Sequence, residues 1–205
     1  MFGKRSAGAT IESVSFDATG YSLQESTDAV RLWFTPDADE FSVDFFARRP
    51  DLPRTLDELR GRYETQLRAA GGAVVEVSPI QVDECRAVKT VVKLPQPQSG
   101  LMYVASITVP FRDFSFVLKV ICEERGVTGL REAVLLAKHM SAGGIPEAVD
   151  GQLQVPGLEP DSERFDADFS THPLSRARRT IGHISATARV DTVLKKAPAF
   201  AGISS

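Results

Sequence analysis

Two cysteines, three histidines and a run of arginines are the side chains with the most chemistry to offer in this chain of 205 residues. Cys85 and Cys122 are candidate nucleophiles, but a thiol attacks only when a neighbouring base or cation lowers its pKa. Both lie in apolar strand patterns, so both are expected to be small core or half-buried strand residues. His139, His172 and His183 fall inside helical patterns or at a helix start, with no metal-ligand spacing among them. Asp166 and Asp168 precede a helix, where carboxylates favour the dipole; a D-x-D cation site would need a third oxygen ligand, and none is identifiable. The chain contains no G-x-x-x-x-G-K-[ST] loop, no G-x-G-x-x-G, no H-E-x-x-H and no G-x-S-x-G. Asn is absent altogether. No catalytic residue, cofactor or metal is therefore expected.

Arg176, Arg178 and Arg179 form the best candidate patch. Arginine makes forked hydrogen bonds to carboxylate or phosphate, so such a cluster suits an acidic partner. Two other readings compete with this one. The acidic stretch just upstream can fold back on the arginines, or they can form a solvated helix face.

The elements that must position these residues are legible from period-two and period-3.6 patterns. From Leu101 to Phe111 every odd position except Ala105 is large and apolar (Leu101, Tyr103, Ile107, Val109, Phe111). From Phe114 to Cys122 the apolar set moves to even positions (Phe114, Phe116, Leu118, Val120, Cys122). A two-residue turn at Arg112-Asp113 pairs Phe111 with Phe114, Val109 with Phe116, Ile107 with Leu118 and Ala105 with Val120. All of these then fall on one face of an antiparallel sheet. Further strands are expected at Ile11–Phe16, Val30–Thr35, Phe41–Arg48, Ala73–Val77 and Cys85–Leu94.

Thr55 with Glu58 three residues on is a capping box. It opens a helix with the stripe Leu56, Leu59, Tyr63, Leu67, Ala70, which Gly71-Gly72 ends. A second helix is expected over Gly129–Met140. A third begins at Pro173, with the stripe Leu174, Ala177, Ile181, Ile184, Ala188. Residues 144–171, rich in acids and carrying Pro146, Pro156 and Pro160, read as an irregular connection. The first ten residues read as a frayed tail, and those beyond the third helix as peripheral.

The second face of the sheet would carry Lys89, Val91 and Lys93, then Met102, Val104, Ser106 and Thr108, then Val117, Lys119 and Ile121. That surface is too apolar for full exposure and too charged for a dry core. Either the third helix covers it, with lysine stems along apolar surface, or it receives a partner segment; cover by the helix is the favoured reading. The same parity sets Cys85 and Cys122 on opposite faces. Roughly nine residues of strand, at ~3.3 Å each, also separate them along the sheet. A disulfide tolerates only about 7 Å between Cα atoms, so free thiols and a reducing compartment are expected.

Composition agrees with an ordinary globular chain: 42% of residues are hydrophobic and 25% charged. A net charge of −3 with pI near 5.7 gives no reason to expect nucleic acid. No apolar run reaches the ~18 residues of a membrane span, and no secretory leader is recognisable. The expected location is cytoplasmic.

The order of elements from Ile11 to Gly143 resembles the PsbP/Mog-one fold superfamily, including bacterial DcrB-like proteins. Members often join two strands by a V-D-G-x-P-A turn. The corresponding stretch here is Val82-Asp83-Glu84-Cys85-Arg86-Ala87, without the Gly or the Pro. The resemblance implies a curved antiparallel sheet between helices and a mainly non-catalytic, protein-binding role. Relatives include photosystem subunits, a small-GTPase-binding import factor and secretion chaperones. No catalytic residue is carried over.

The expectation is therefore an α+β fold. An antiparallel sheet of six to seven strands lies between helices over residues 11–143, with the acidic connection at 144–171 and a C-terminal helix and tail at 172–205 packing on it. The expected function is a non-catalytic protein-binding module: an adaptor, a secretion-associated chaperone or a toxin-neutralising partner. Its contact residues would be Val91, Val104, Val117, Lys119, Ile121, Arg176, Arg178 and Arg179. The alternative is a ligand carrier or enzyme with a pocket between the sheet and the 144–171 connection, gathering Tyr103, Cys122, Glu123 or His139.

Overall fold

The computed structural model describes residues 8–145, 147–149, 152–154 and 159–202. Pro146, Asp150 and Pro156 of the acidic connection, and most of the expected N-terminal tail, lie outside the described residues. The fold is α+β. Its main sheet joins β2 (Ser22–Ser26), β3 (Val30–Phe34), β4 (Glu40–Phe46), β8 (Ser115–Glu123), β7 (Leu101–Pro110), β6 (Cys85–Pro95) and β5 (Ala73–Val82) in that spatial order. Every neighbouring pair is antiparallel. The short β1 (Val14–Ser15) pairs with β11 (Arg189–Val190), and β9 (Glu147–Val149) pairs with β10 (Gln152–Gln154) inside the connection.

The β7–β8 register is the one period-two alternation dictates: Val109 faces Phe116, Ile107 faces Leu118 and Ala105 faces Val120. Phe111 N–H donates to Phe114 O across the turn at 2.9 Å. Strand β4 continues the same face, with Phe41 opposite Val120 and Val43 opposite Leu118. Helix α3 (Pro173–Thr187) lies on this face and packs against β7 and β8. Leu174, Ala177, Ile181 and Ile184 are fully buried into it. Burial of this kind stabilises by about 1.5–3 kcal/mol for each large apolar side chain.

Helix α1 (Leu56–Arg68) begins as the capping pattern requires, with Thr55 Oγ1 accepting from Glu58 N–H at 3.2 Å. The Glu58 carboxylate reaches back to Arg54 N–H rather than to Thr55. The chain leaves α1 through Gly71 at φ +70°, a conformation glycine adopts without steric cost. Strand β5 continues past Val77, through Pro79, to Val82; as the outer strand of the sheet it tolerates a residue without an N–H donor. Helix α2 spans Leu130–Ser141, and the four-residue α4 spans Thr192–Lys195.

Three expectations are corrected. First, β6 has the opposite parity: Val91 pairs with Ala105, Lys89 with Ile107 and Lys93 with Tyr103, so all three residues point towards α3. The lysines tolerate this because Glu76 takes Lys89 at 2.6 Å and Asp161 takes Lys93 at 2.5 Å. It follows that Cys85 and Cys122 share a face, although both remain free thiols. Second, α3 covers the strongly apolar face, not the half-apolar one. Third, the segment after α3 is not peripheral. Val190 is 4% exposed and Leu194 3% exposed, and both belong to the main core.

Candidate protein-binding face

The second face begins where β6 meets β7. Val88, Thr90, Val92 and Leu94 share it with Thr108, Ser106, Val104 and Met102 of β7. Across β8 the same side carries Val117, Lys119 and Ile121, and across β4 it carries Glu40, Ser42, Asp44 and Phe46. Val30, Leu32 and Phe34 of β3 complete it.

The face is unevenly covered. Helix α1 packs along β5 and takes Leu59 out of solvent. Val88 and Val92, which point away from α3, are buried at the same edge, so α1 closes that end. Towards the middle, Met102, Val104, Val117, Lys119 and Ile121 are all half-buried. At the far side Phe34 is 43% and Phe46 38% exposed, unusual for rings on a sheet face. The helices in extensive contact with the main sheet are α1, against β5, and α3, against β7 and β8 on the opposite side. Polar groups within the strip satisfy one another: Thr90 and Ser106 hydroxyls bond at 2.8 Å, and Ser42 donates to Asp44 at 2.8 Å. Lys119 is in no ion pair among the described residues.

Of the residues expected to make contact, Val104, Val117, Lys119 and Ile121 share this surface. Val91 does not; it is fully buried under α3. The arginines lie on the opposite side of the sheet and serve the chain's own structure. Arg176 is 8% exposed and grips Asp39 through Nε at 2.8 Å and Nη2 at 2.9 Å. Its pKa is raised: burial works against the charge, but the Asp39 carboxylate outweighs it. Arg178 is held by Asp166 at 3.2 Å and by the Asp161 carbonyl at 2.7 Å. The acidic stretch does fold back on it, therefore. Arg179 alone is exposed, and it pairs with Asp37 at 2.7 Å. Phe34 and Phe46 were missed by the sequence reading. Phe46 shares its parity with Ser42 and Asp44, which is the signal that would have found it.

The four residues of the alternative pocket do not converge. Tyr103 and Cys122 are cross-strand neighbours under α3, whereas Glu123 points to the other face. His139 sits late in α2, beside Gly144. Burial pushes the Cys122 thiol well above its ordinary pKa, and the Asp39 carboxylate pushes it further. A cleft of 730 Å³ exists elsewhere, between the β5–β6 turn and the C-terminal segment, lined by Ile80, Cys85, Val88, Phe111, Lys195 and Phe200 among others. Burial and the nearby Asp83 charge raise the Cys85 thiol too, so neither cysteine is an activated nucleophile. No described helix is long and apolar enough to cross a membrane.

No family model matches this chain, and no curated protein matches its sequence. Solved structures do. Saccharomyces cerevisiae Mog1p, a Ran-binding protein, aligns over 89% of this chain and 93% of its own, at 11% identity and TM-score 0.48. A Pseudomonas aeruginosa protein of unknown function aligns over 63% of this chain and 99% of its own, at 13% identity and TM-score 0.36. A Bacteroides thetaiotaomicron structure shares 11% identity at TM-score 0.35 over 72% of this chain, which spans only 46% of that protein. At such values the likenesses bear on neither partner nor activity.

Proposed function

We propose that the chain is a non-catalytic protein-binding module, whose open sheet face takes a segment of a partner across Val104, Val117 and Ile121. The supporting observation is the position of α3. By lying on the strongly apolar face it leaves the half-apolar one to α1, whose extensive contacts are with β5, and two phenyl rings on that face are in contact with solvent. An apolar strip with Lys119 between Val117 and Ile121, and Asp44 and Glu40 opposite on the next strand, suits an amphipathic segment. The strip would take its apolar side, and the flanking charges would set its register. An adaptor or a chaperone role in the cytoplasm, and a place in the DcrB-like bacterial branch, belong to the same proposal.

The test is a pull-down from the native host with Val104→Asp and Val117→Asp. Both positions are half-buried on the sheet surface, so a carboxylate there should abolish capture while circular dichroism and thermal unfolding report a folded protein. Capture that survives both substitutions rejects this surface.

A further inference from the structure

A second site lies on the other side of the sheet, between β7, the start of α2 and the acidic connection, and it is independent of the binding face. Four buried side-chain atoms there have no hydrogen-bond partner: Tyr103 Oη, Glu132 Oε2, Asp161 Oδ1 and His172 Nε2; a fifth, Arg178 Nε, belongs to the guanidinium that holds the Asp161 carbonyl and Asp166. Buried polar atoms are rarely left this way, and a concentration of them in one place points to a bound species. Tyr103 and His172 meet edge to face at 5.4 Å between ring centroids. Asp161 and Glu124 act electrostatically on both. One ligand atom each from Glu124, Glu132 and His172 lies within 4.8 Å of the others. Tyr103 is fully buried and His172 only 8% exposed.

The charge balance calls for a cation. Lys93 answers Asp161. The Arg131 guanidinium also acts on Tyr103 and His172, and Arg176 on His172, but the Arg131 donors go to Pro160 O, Ser162 O, Asp166 and Ser175. Among the described residues no lysine or arginine pairs with Glu124 or Glu132, so a buried and a half-buried carboxylate stand together without a cationic partner. Glu124 is already oriented, since Leu101 N–H donates to its Oε2 at 2.7 Å and Gly129 N–H to its Oε1 at 3.0 Å. Outer hydrogen bonds of this kind fix metal-binding carboxylates.

His172 decides which cation. Its Nδ1 accepts from Leu174 N–H at 3.2 Å, capping α3. The neutral ring therefore keeps its proton on Nε2, where it is a donor towards Glu124 and not a ligand. Zinc would have to displace that proton or break the cap; an ion bound by oxygen alone would do neither. We propose that Glu124 and Glu132 bind one hard divalent cation of the Mg²⁺/Mn²⁺ class. The unpartnered His172 Nε2–H, 3.7 Å from Glu124 Oε1, the Tyr103 hydroxyl and Asp161 Oδ1 would then be satisfied by the ion's remaining waters.

The test uses the full chain, stripped with EDTA and titrated with MnCl₂, with loss of the free Mn²⁺ electron paramagnetic resonance signal as readout. One equivalent should bind, Mg²⁺ should compete for it, and Glu132→Gln should weaken it at least tenfold while retaining the native fold. Glu124→Gln is the less clean variant, because Glu124 also ties Leu101 and Gly129. Absence of binding at millimolar Mn²⁺, or binding left unchanged by Glu132→Gln, would each overturn the proposal.

Discussion

Arg131 is fully enclosed and holds the acidic connection to α2 and α3. Truncating it leaves the Pro160 and Ser162 carbonyls without a donor, although Arg178 still neutralises Asp166. Arg131→Ala is therefore expected to cost about 3 kcal/mol, the low end for breaking a buried pair. Urea unfolding measures it, and a loss under about 1 kcal/mol would mean that the network acts as a surface one. The thiols give a second prediction. At pH 8 Cys85 should react slowly with a disulfide reagent, and Cys122 only as fast as the protein unfolds, because burial raises both pKa values. Rapid labelling of Cys122 in the native protein would contradict its placement. The sequence drew attention to Arg176, Arg178 and Arg179 because they are adjacent, and it passed over Arg131. Nothing local marks Arg131, since its partners stand 29 to 44 residues away in the chain.

Single strands and turns show the same division between local and distant causes. The β7–β8 hairpin was readable because one parity of each strand is almost wholly large and apolar and both strands are adjacent in sequence. Strand β6 was misread because Lys89 and Lys93 looked like an outer face. Their counter-ions come from β5 and from Asp161, 68 residues away, and no periodicity announces that. The β5–β6 turn carries a different signal. Asp83 and Glu84 both have positive φ, +44° and +73°, the geometry of a type I′ hairpin turn. Asp83 has a reason to be there: its carboxylate accepts from Val190 N–H at 2.8 Å and pairs with Lys195, and both hold its pKa down. Glu84 has little reason, being 82% exposed on its side chain. A left-handed non-glycine residue costs about 1–2 kcal/mol, offset in part by the entropy of glycine in the unfolded chain. Glu84→Gly should then stabilise the protein by up to about 1 kcal/mol in chemical denaturation. A destabilised variant would show that the Glu84–Lys195 pair matters more than an exposed ion pair ordinarily does.

At the level of the whole molecule, the C-terminal segment closes the core from the side opposite the open face. Ala188 is fully buried, Val190 pairs with Val14, Asp191 N–H donates to Ser13 O, and Leu194 fills the end of the cluster. Beyond Lys196 the contacts thin to Ala197, partly buried against the core with its N–H donating to Leu194 O, the Pro198 carbonyl, which accepts from Arg112 N–H at 3.0 Å, and the bridge of Ala199 to Phe111. Two truncations separate these roles. Ending the chain after Lys196 removes the backbone hydrogen bonds of Ala197 and Pro198, roughly 1 kcal/mol each, and opens the cleft beside Cys85. Ending it after Thr187 removes Val190 and Leu194 from the core, about 5 kcal/mol together. A loss of that size approaches the 5–15 kcal/mol that holds an ordinary domain together. The shorter chain should therefore be unfolded or aggregated at 25 °C and the longer one native by circular dichroism. If both fold equally well, the segment from Ala188 onwards is dispensable and the buried face must be closed chiefly by α3.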